Sequence, residues 1–247
     1  MVITSGILEN RLGIHKRIAD YFANQRAIPA NNLFWKDKRI YLSMGFGFLT
    51  IPFAFDLMYK RGIEMDILLQ DDHVSLMEEG FDKLKKYEMS LLSYSDFING
   101  CKELLHGKIR QTDLAKDLFA FFSGESSTVY QFENKYKALA RSDFFLFTLL
   151  DLELSNEWVH EFLPYWYSIA RPILLLDDFR DIEEDRLNGE DNTIIEMGDD
   201  KAAVEKAYEM GKKDLELLSS INPLLAEFIQ GMLDDSLNYA SIQKMIA

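Results

Sequence analysis

Apolar residues recur at three- and four-residue spacing along almost the whole chain, and the alternating pattern of a half-buried strand is nearly absent. That periodicity predicts an all-α fold. Helices are expected at about 4–26, 33–60, 73–88, 94–107, 111–123, 127–151, 155–188, 200–220 and 222–245, with ends placed to within a few residues. Ser155 with Glu157 close behind, Thr112 ahead of an acidic first turn, and Asn222-Pro223 all read as helix starts. Asp71-Asp72 likewise reads as acid favoured at a helix N-terminus by the backbone dipole. No Pro/Ser-rich linker, low-complexity tract or internal repeat interrupts the pattern, so a single domain over 1–247 is expected.

A length of 247 residues, 48% of them hydrophobic, is enough to bury a sizeable core. A formal net charge of −14 argues against nucleic acid or an anionic membrane as the main partner, since both would repel such a surface. An anionic substrate would then need a bridging metal. The lone Cys101 excludes an internal disulfide, and with no visible signal peptide a reducing, cytoplasmic setting is expected. Ile40 to Tyr59 is apolar enough to raise the question of a membrane span, yet Asp56, Pro52, Gly45 and Gly47 interrupt it, and no transmembrane span is expected.

The chemistry is concentrated between Leu174 and Gly189, where an apolar turn becomes a carboxylate array. At about 100° per residue, Asp177, Asp178, Asp181, Glu184 and Asp185 share roughly a third of the helix circumference, while Arg180, Glu183 and Arg186 point elsewhere. Like charges at this spacing destabilise an isolated helix by a few tenths of a kcal/mol per pair, so a cation is expected on that face. Magnesium suits it, because it takes oxygen ligands, keeps several waters and shares the phosphates of a substrate.

The pattern Asp177-Asp178-x-x-Asp181-x-x-x-Asp185-x-x-x-Gly189, with Asn192 shortly after, resembles the second metal-binding motif of class I isoprenoid synthases. Asp177, Asp181 and Asp185 match the ligand positions of the terpene-cyclase form (N/D)DxxSxxxE, and the stretch Phe179 to Asp185 is similar to the squalene and phytoene synthase form. The resemblance implies an isoprenoid-synthase helical bundle around a central cavity, Mg2+, and an allylic diphosphate of the farnesyl or geranylgeranyl class as substrate. It implies Asp177, Asp178, Asp181 and Asp185 as catalytic acids, with cyclisation preferred to chain elongation and a homodimer allowed. Lys137 and Arg141, near where prenyltransferases carry a diphosphate-binding lysine, are the candidate cations alongside Asn192; the alternative is solvated charge on an amphipathic helix.

The chain departs from these families upstream, where no DDxxD occurs. Asp56, in the apolar run Phe53-Ala54-Phe55-Asp56, is the candidate for the missing metal ligand, because a lone acid among phenylalanines is costly. Pairing with Lys60 four residues on explains it equally well. Pro172 is a second departure and should kink or restart the helix one turn before the array. The many aromatics, Phe144, Phe145, Phe147, Trp158, Trp166, Tyr167, Phe53 and Phe55 among them, could shape a hydrocarbon cavity but read first as core.

Two other classes remain open. One is a synthase fold that has lost its chemistry and serves as a binding subunit. The other is a ferritin-like di-iron protein, suggested by Glu103-x-x-His106 and Glu157-x-x-His160, although the pairs lie only 54 residues apart.

Overall fold

The computed structural model describes residues 3–43, 45–132 and 135–247, and all regular structure among them is helical, as the periodicity predicts. Helices α1 (Ser5–Leu12), α2 (Lys16–Asp20), α3 (Phe46–Lys60), α4 (Met65–Leu68), α5 (Asp71–Glu88), α6 (Tyr94–Leu104) and α7 (Thr112–Phe122) come first. Then follow α8 (Lys137–Ala140), α9 (Asn156–Asn188), α10 (Thr193–Met197), α11 (Lys201–Ser219), α12 (Pro223–Ser236) and α13 (Ala240–Ile246). A π turn at Tyr21–Gln25 and a 3-10 segment at Arg141–Leu149 complete the order. Among the described residues no helix is long and apolar enough to cross a membrane.

The chain divides into two compact units. One comprises the described parts of Met1–Ser5, Lys16–Phe132 and Asp143–Phe162; the other comprises Gly6–His15, the described part of Glu133–Ser142, and Leu163–Ala247.

The first unit is centred on α3, in which every side chain from Ile51 to Met58 is buried. Two stretches expected as helix take other forms, for local reasons. In 33–60, which includes Met44 outside the described residues, helix begins only at Phe46. Asn31 and Asp37 adopt φ of 59° and 63°, a left-handed conformation that breaks a helix, and Trp35 Nε1 donates to Tyr41 O at 2.9 Å across the second of these turns. In 127–151, which includes 133–134 outside the described residues, the amides of Thr128, Val129 and Tyr130 donate to the Asp117 carboxylate instead of helix carbonyls.

In the second unit, Gly211 of α11 is a point of close approach. A Cβ there would lie 3.0 Å from a methyl of Leu233 on α12 and 3.3 Å from one of Leu175 on α9. Arg171 of α9 grips Asp214 of α11 through two bonds of 2.8 and 2.6 Å. Asn222 caps α12 by accepting from Leu225 N at 3.1 Å, with Pro223 following as the sequence suggests, and donates to Leu12 O at 2.9 Å. Gly13, at φ +64° and with room for no side chain against Asn222, ends α1 and so divides the helix expected over 4–26. The helix expected over 222–245 also divides, at 237–239.

Helix α9 runs for 33 residues, about 50 Å, and contains both Pro164 and Pro172. It starts as expected, with Ser155 Oγ accepting from Trp158 N at 3.1 Å. It does not restart at Pro172. Loss of one helical hydrogen bond there costs about 3 kcal/mol. Burial of Ile169, Ile173, Leu175 and Leu176 on either side offsets it at roughly 2 kcal/mol for each such side chain.

Candidate functional site

The array forms the C-terminal third of α9, and its acids differ in burial. Asp178 is 1% exposed, Asp177, Asp181 and Asp185 are half-buried, and Glu184 is exposed. Asp177, Asp181 and Asp185, spaced by one turn, therefore form a line at the edge of the buried surface, with Asp178 beneath it.

Asp178 serves as an anchor. Its carboxylate accepts from Thr193 N at 3.0 Å, fixing the start of α10, and from Arg141 Nη2 at 3.2 Å. Burial pushes its pKa up to about 6, against the opposing pull of Thr193 and Arg141. The same Arg141 nitrogen lies 3.6 Å from Asp177 Oδ2, so one half-exposed guanidinium spans two acids of the array.

Asn192, 1% exposed, caps α10 through its carbonyl oxygen, accepting from Ile194 N at 3.0 Å. Its amide nitrogen donates to Asp178 O and to Asp185 Oδ2, both at 2.8 Å. Burial raises the pKa of Asp185 while this bond opposes the rise. From α10, Glu196 reaches α8 and accepts from the amides of Lys137 and Ala138 at 2.7 and 2.8 Å. It thereby caps the short helix that presents Arg141.

Arg180 departs from its expected direction. Its guanidinium folds back onto the array, bonding Asp181 at 2.8 and 2.6 Å and also Asp177. It holds the Asp181 carboxyl below its usual range. Spacing alone missed this, because a long arginine reaches well beyond the azimuth of its own Cα. Sequence reasoning also passed over Thr193 and Glu196, which carry no charge pattern of their own.

The remaining candidates lie elsewhere. Lys137 is exposed and pairs with Asp191 at 2.9 Å, so of the two candidate cations it is Arg141 that meets the array. Asp56, in the first unit and 2% exposed, is met by Lys60 Nζ at 2.7 Å, the pairing weighed from sequence. Among the described residues no three His, Cys, Asp or Glu side chains are arranged to hold a metal ion. Glu103, His106, Glu157 and His160 are all exposed, and the His160 ring lies against Tyr130, tilted by 41° with centroids 4.7 Å apart.

Several of the aromatics are core, the first reading of them from sequence, and three line a cavity. Trp166, Tyr167, Phe53 and Phe55 are core. Phe144, Phe145 and Phe147 instead line an apolar cavity of about 60 Å³ in the first unit, opposite Phe81, Phe97 and Cys101.

Comparison with protein families, with characterised proteins and with solved structures finds no match.

Proposed function

We propose that the chain is a magnesium-dependent enzyme of the class I isoprenoid-synthase type, acting on an allylic diphosphate of the farnesyl or geranylgeranyl class. The observation that carries this reading is the line Asp177, Asp181, Asp185 on one helix edge with Arg141 set against it. The donors are all carboxylate oxygens at a half-buried edge, the ligand type of a hard cation that keeps its waters and shares a phosphate. Arg180 pairs with Asp177 and Asp181, so an ion would bind only with that half-exposed side chain turned out to solvent and the acids drawn together from their present arrangement. Bound there, magnesium would offset the diphosphate charge and favour departure of the leaving oxygen.

The chain's own part begins with Arg141, which donates to the leaving diphosphate oxygens as their charge develops. Asp178 keeps Arg141 in place from below, and Asn192 holds Asp185 in the rotamer that continues the line. The allylic cation then closes on its own chain and gives up a proton to the departed diphosphate; capture by a second molecule is the alternative within the class.

The test is turnover of geranylgeranyl diphosphate with magnesium by the wild type and by Asp181→Ala and Asp185→Ala. Each substitution is expected to lower turnover at least about a hundredfold, the effect of removing one charge-stabilising group. Turnover at the wild-type level in both would remove the array from the mechanism. A folded wild type that binds the diphosphate without turning it over would favour the non-catalytic binding subunit.

A further inference from the structure

Helix α5 places Leu76, Met77, Gly80, Phe81 and Leu84 at three- and four-residue spacing along one wall of the apolar cavity in the first unit. Gly80 is the gap in that stripe. A Cβ built there would meet nothing within 4 Å, so the space before it is open. Glycine inside a helix costs stability against alanine, and an unfilled cavity costs more in proportion to its volume. Neither a positive φ nor a close approach at Gly80 accounts for these costs. Open volume kept in this way is volume that a ligand can fill.

The lining sets the chemistry of the occupant. Opposite α5 stand Phe97 and Cys101 of α6, together with Phe144 and Phe147. The hydroxyl of Thr148 on the same wall already donates to Phe145 O at 2.7 Å. Burial pushes the Cys101 thiol up to about 12, against the pull of the Lys83 ammonium, so the thiol stays neutral. No side chain on the wall asks for a hydrogen bond, and a cavity of this kind stays dry and takes hydrocarbon. At about 60 Å³ it has less than half the roughly 150 Å³ that holds a benzene ring, which selects a straight alkyl chain end over a ring or a branched isoprenoid.

The rim adds a charge. Phe81, Leu84 and Phe144 are half-buried where Met77, Phe97 and Cys101 are buried, so the cavity reaches toward the surface on that side. Lys83, itself half-buried, follows Gly80 by three residues and lays its ammonium beside Gly100, 3.1 Å from where a Cβ would stand. Lys85 and Lys86 are taken by Glu88 and Asp82, but among the described residues no acid lies within ion-pair distance of Lys83. We propose that this cavity binds the end of a straight-chain alkyl carboxylate, with the methyl end among the phenylalanines beside Gly80 and the carboxylate on Lys83. The proposal does not rest on the diphosphate reading.

Equilibrium dialysis of labelled octanoate in magnesium-free buffer tests it, with octanol and octyltrimethylammonium as competitors. The wild type is expected to bind octanoate, octanol to compete more weakly, and the ammonium not to compete. Gly80→Leu puts a side chain into the open space and is expected to lower octanoate affinity at least about tenfold while raising Tm. Gly80→Ala, which adds a single carbon, is expected to raise Tm and lower affinity about threefold, and it carries the test where the leucine variant fails to fold. Lys83→Gln is expected to lower octanoate affinity at least about threefold and to leave octanol unchanged. No binding of octanoate, octanol or the ammonium competing as well as octanoate itself, or unchanged affinity in the Gly80 or Lys83 variants would overturn the proposal. So would a fall in Tm in the Gly80 variants, which would show that the space is already filled.

Discussion

Asn192 Nδ2 donates to Asp185 Oδ2 at 2.8 Å, so the residue that starts α10 also fixes the last acid of the α9 line. The opposite side of the same amide caps α10, which makes one buried side chain responsible for both a helix start and the geometry of the site.

Asn192→Ala should therefore cost more than an exposed cap. Loss of the cap contributes about 1 kcal/mol, and leaving the Asp178 carbonyl and Asp185 without their donor adds roughly 1–3 kcal/mol. Urea denaturation measures the sum. A loss below about 0.5 kcal/mol, the ordinary scatter of surface substitutions, would show that the amide does not hold the site together.

Arg180 competes with any cation for Asp177 and Asp181. Arg180→Ala should accordingly tighten magnesium binding, by about threefold to thirtyfold if removing the competing guanidinium relieves roughly 0.6–2 kcal/mol of competition across two partly exposed pairs. Calorimetric titration with magnesium alone measures this. Unchanged or weaker affinity would show that the arginine does not compete at the metal positions.

Asp117 is fully buried and accepts from Thr128 N and Oγ1, Val129 N and Tyr130 N at 2.6–2.9 Å. Burial alone would raise its pKa, but the three backbone amides outweigh it and hold the carboxyl below the usual range. With a lowered folded-state value, its stabilisation is complete above the unfolded carboxylate range and fades as pH falls through the folded value. Asp117→Asn should lose about 2–4 kcal/mol at neutral pH, with the deficit narrowing in acid. Denaturation at several pH values checks both parts. A deficit independent of pH would deny the charge its role.

The helical class was legible because burial on one face imposes a 3.6-residue period on every long element. Where a side chain diverts the backbone, periodicity misleads. Asp117 draws the amides of 128–130 out of a helix, and Asn31 and Asp37 turn the chain before α3. The acid line was legible from spacing, since Asp177, Asp181 and Asp185 are local to one helix. Its surroundings were not, because Asn192, Thr193 and Glu196 act across turns whose geometry spacing does not encode. Arg180 was misread because a helical wheel locates Cα atoms and not the ends of long side chains.

The central claim is joint recognition of an allylic diphosphate and magnesium, and a thermal-shift titration with farnesyl and geranylgeranyl diphosphate, each with and without magnesium, tests it most directly. Binding to the native state raises stability by about 2.7 kcal/mol at a hundredfold excess over Kd. The expected result is a rise in Tm that requires both diphosphate and magnesium and that is lost in Asp181→Ala. The same Tm under every combination would contradict the claim.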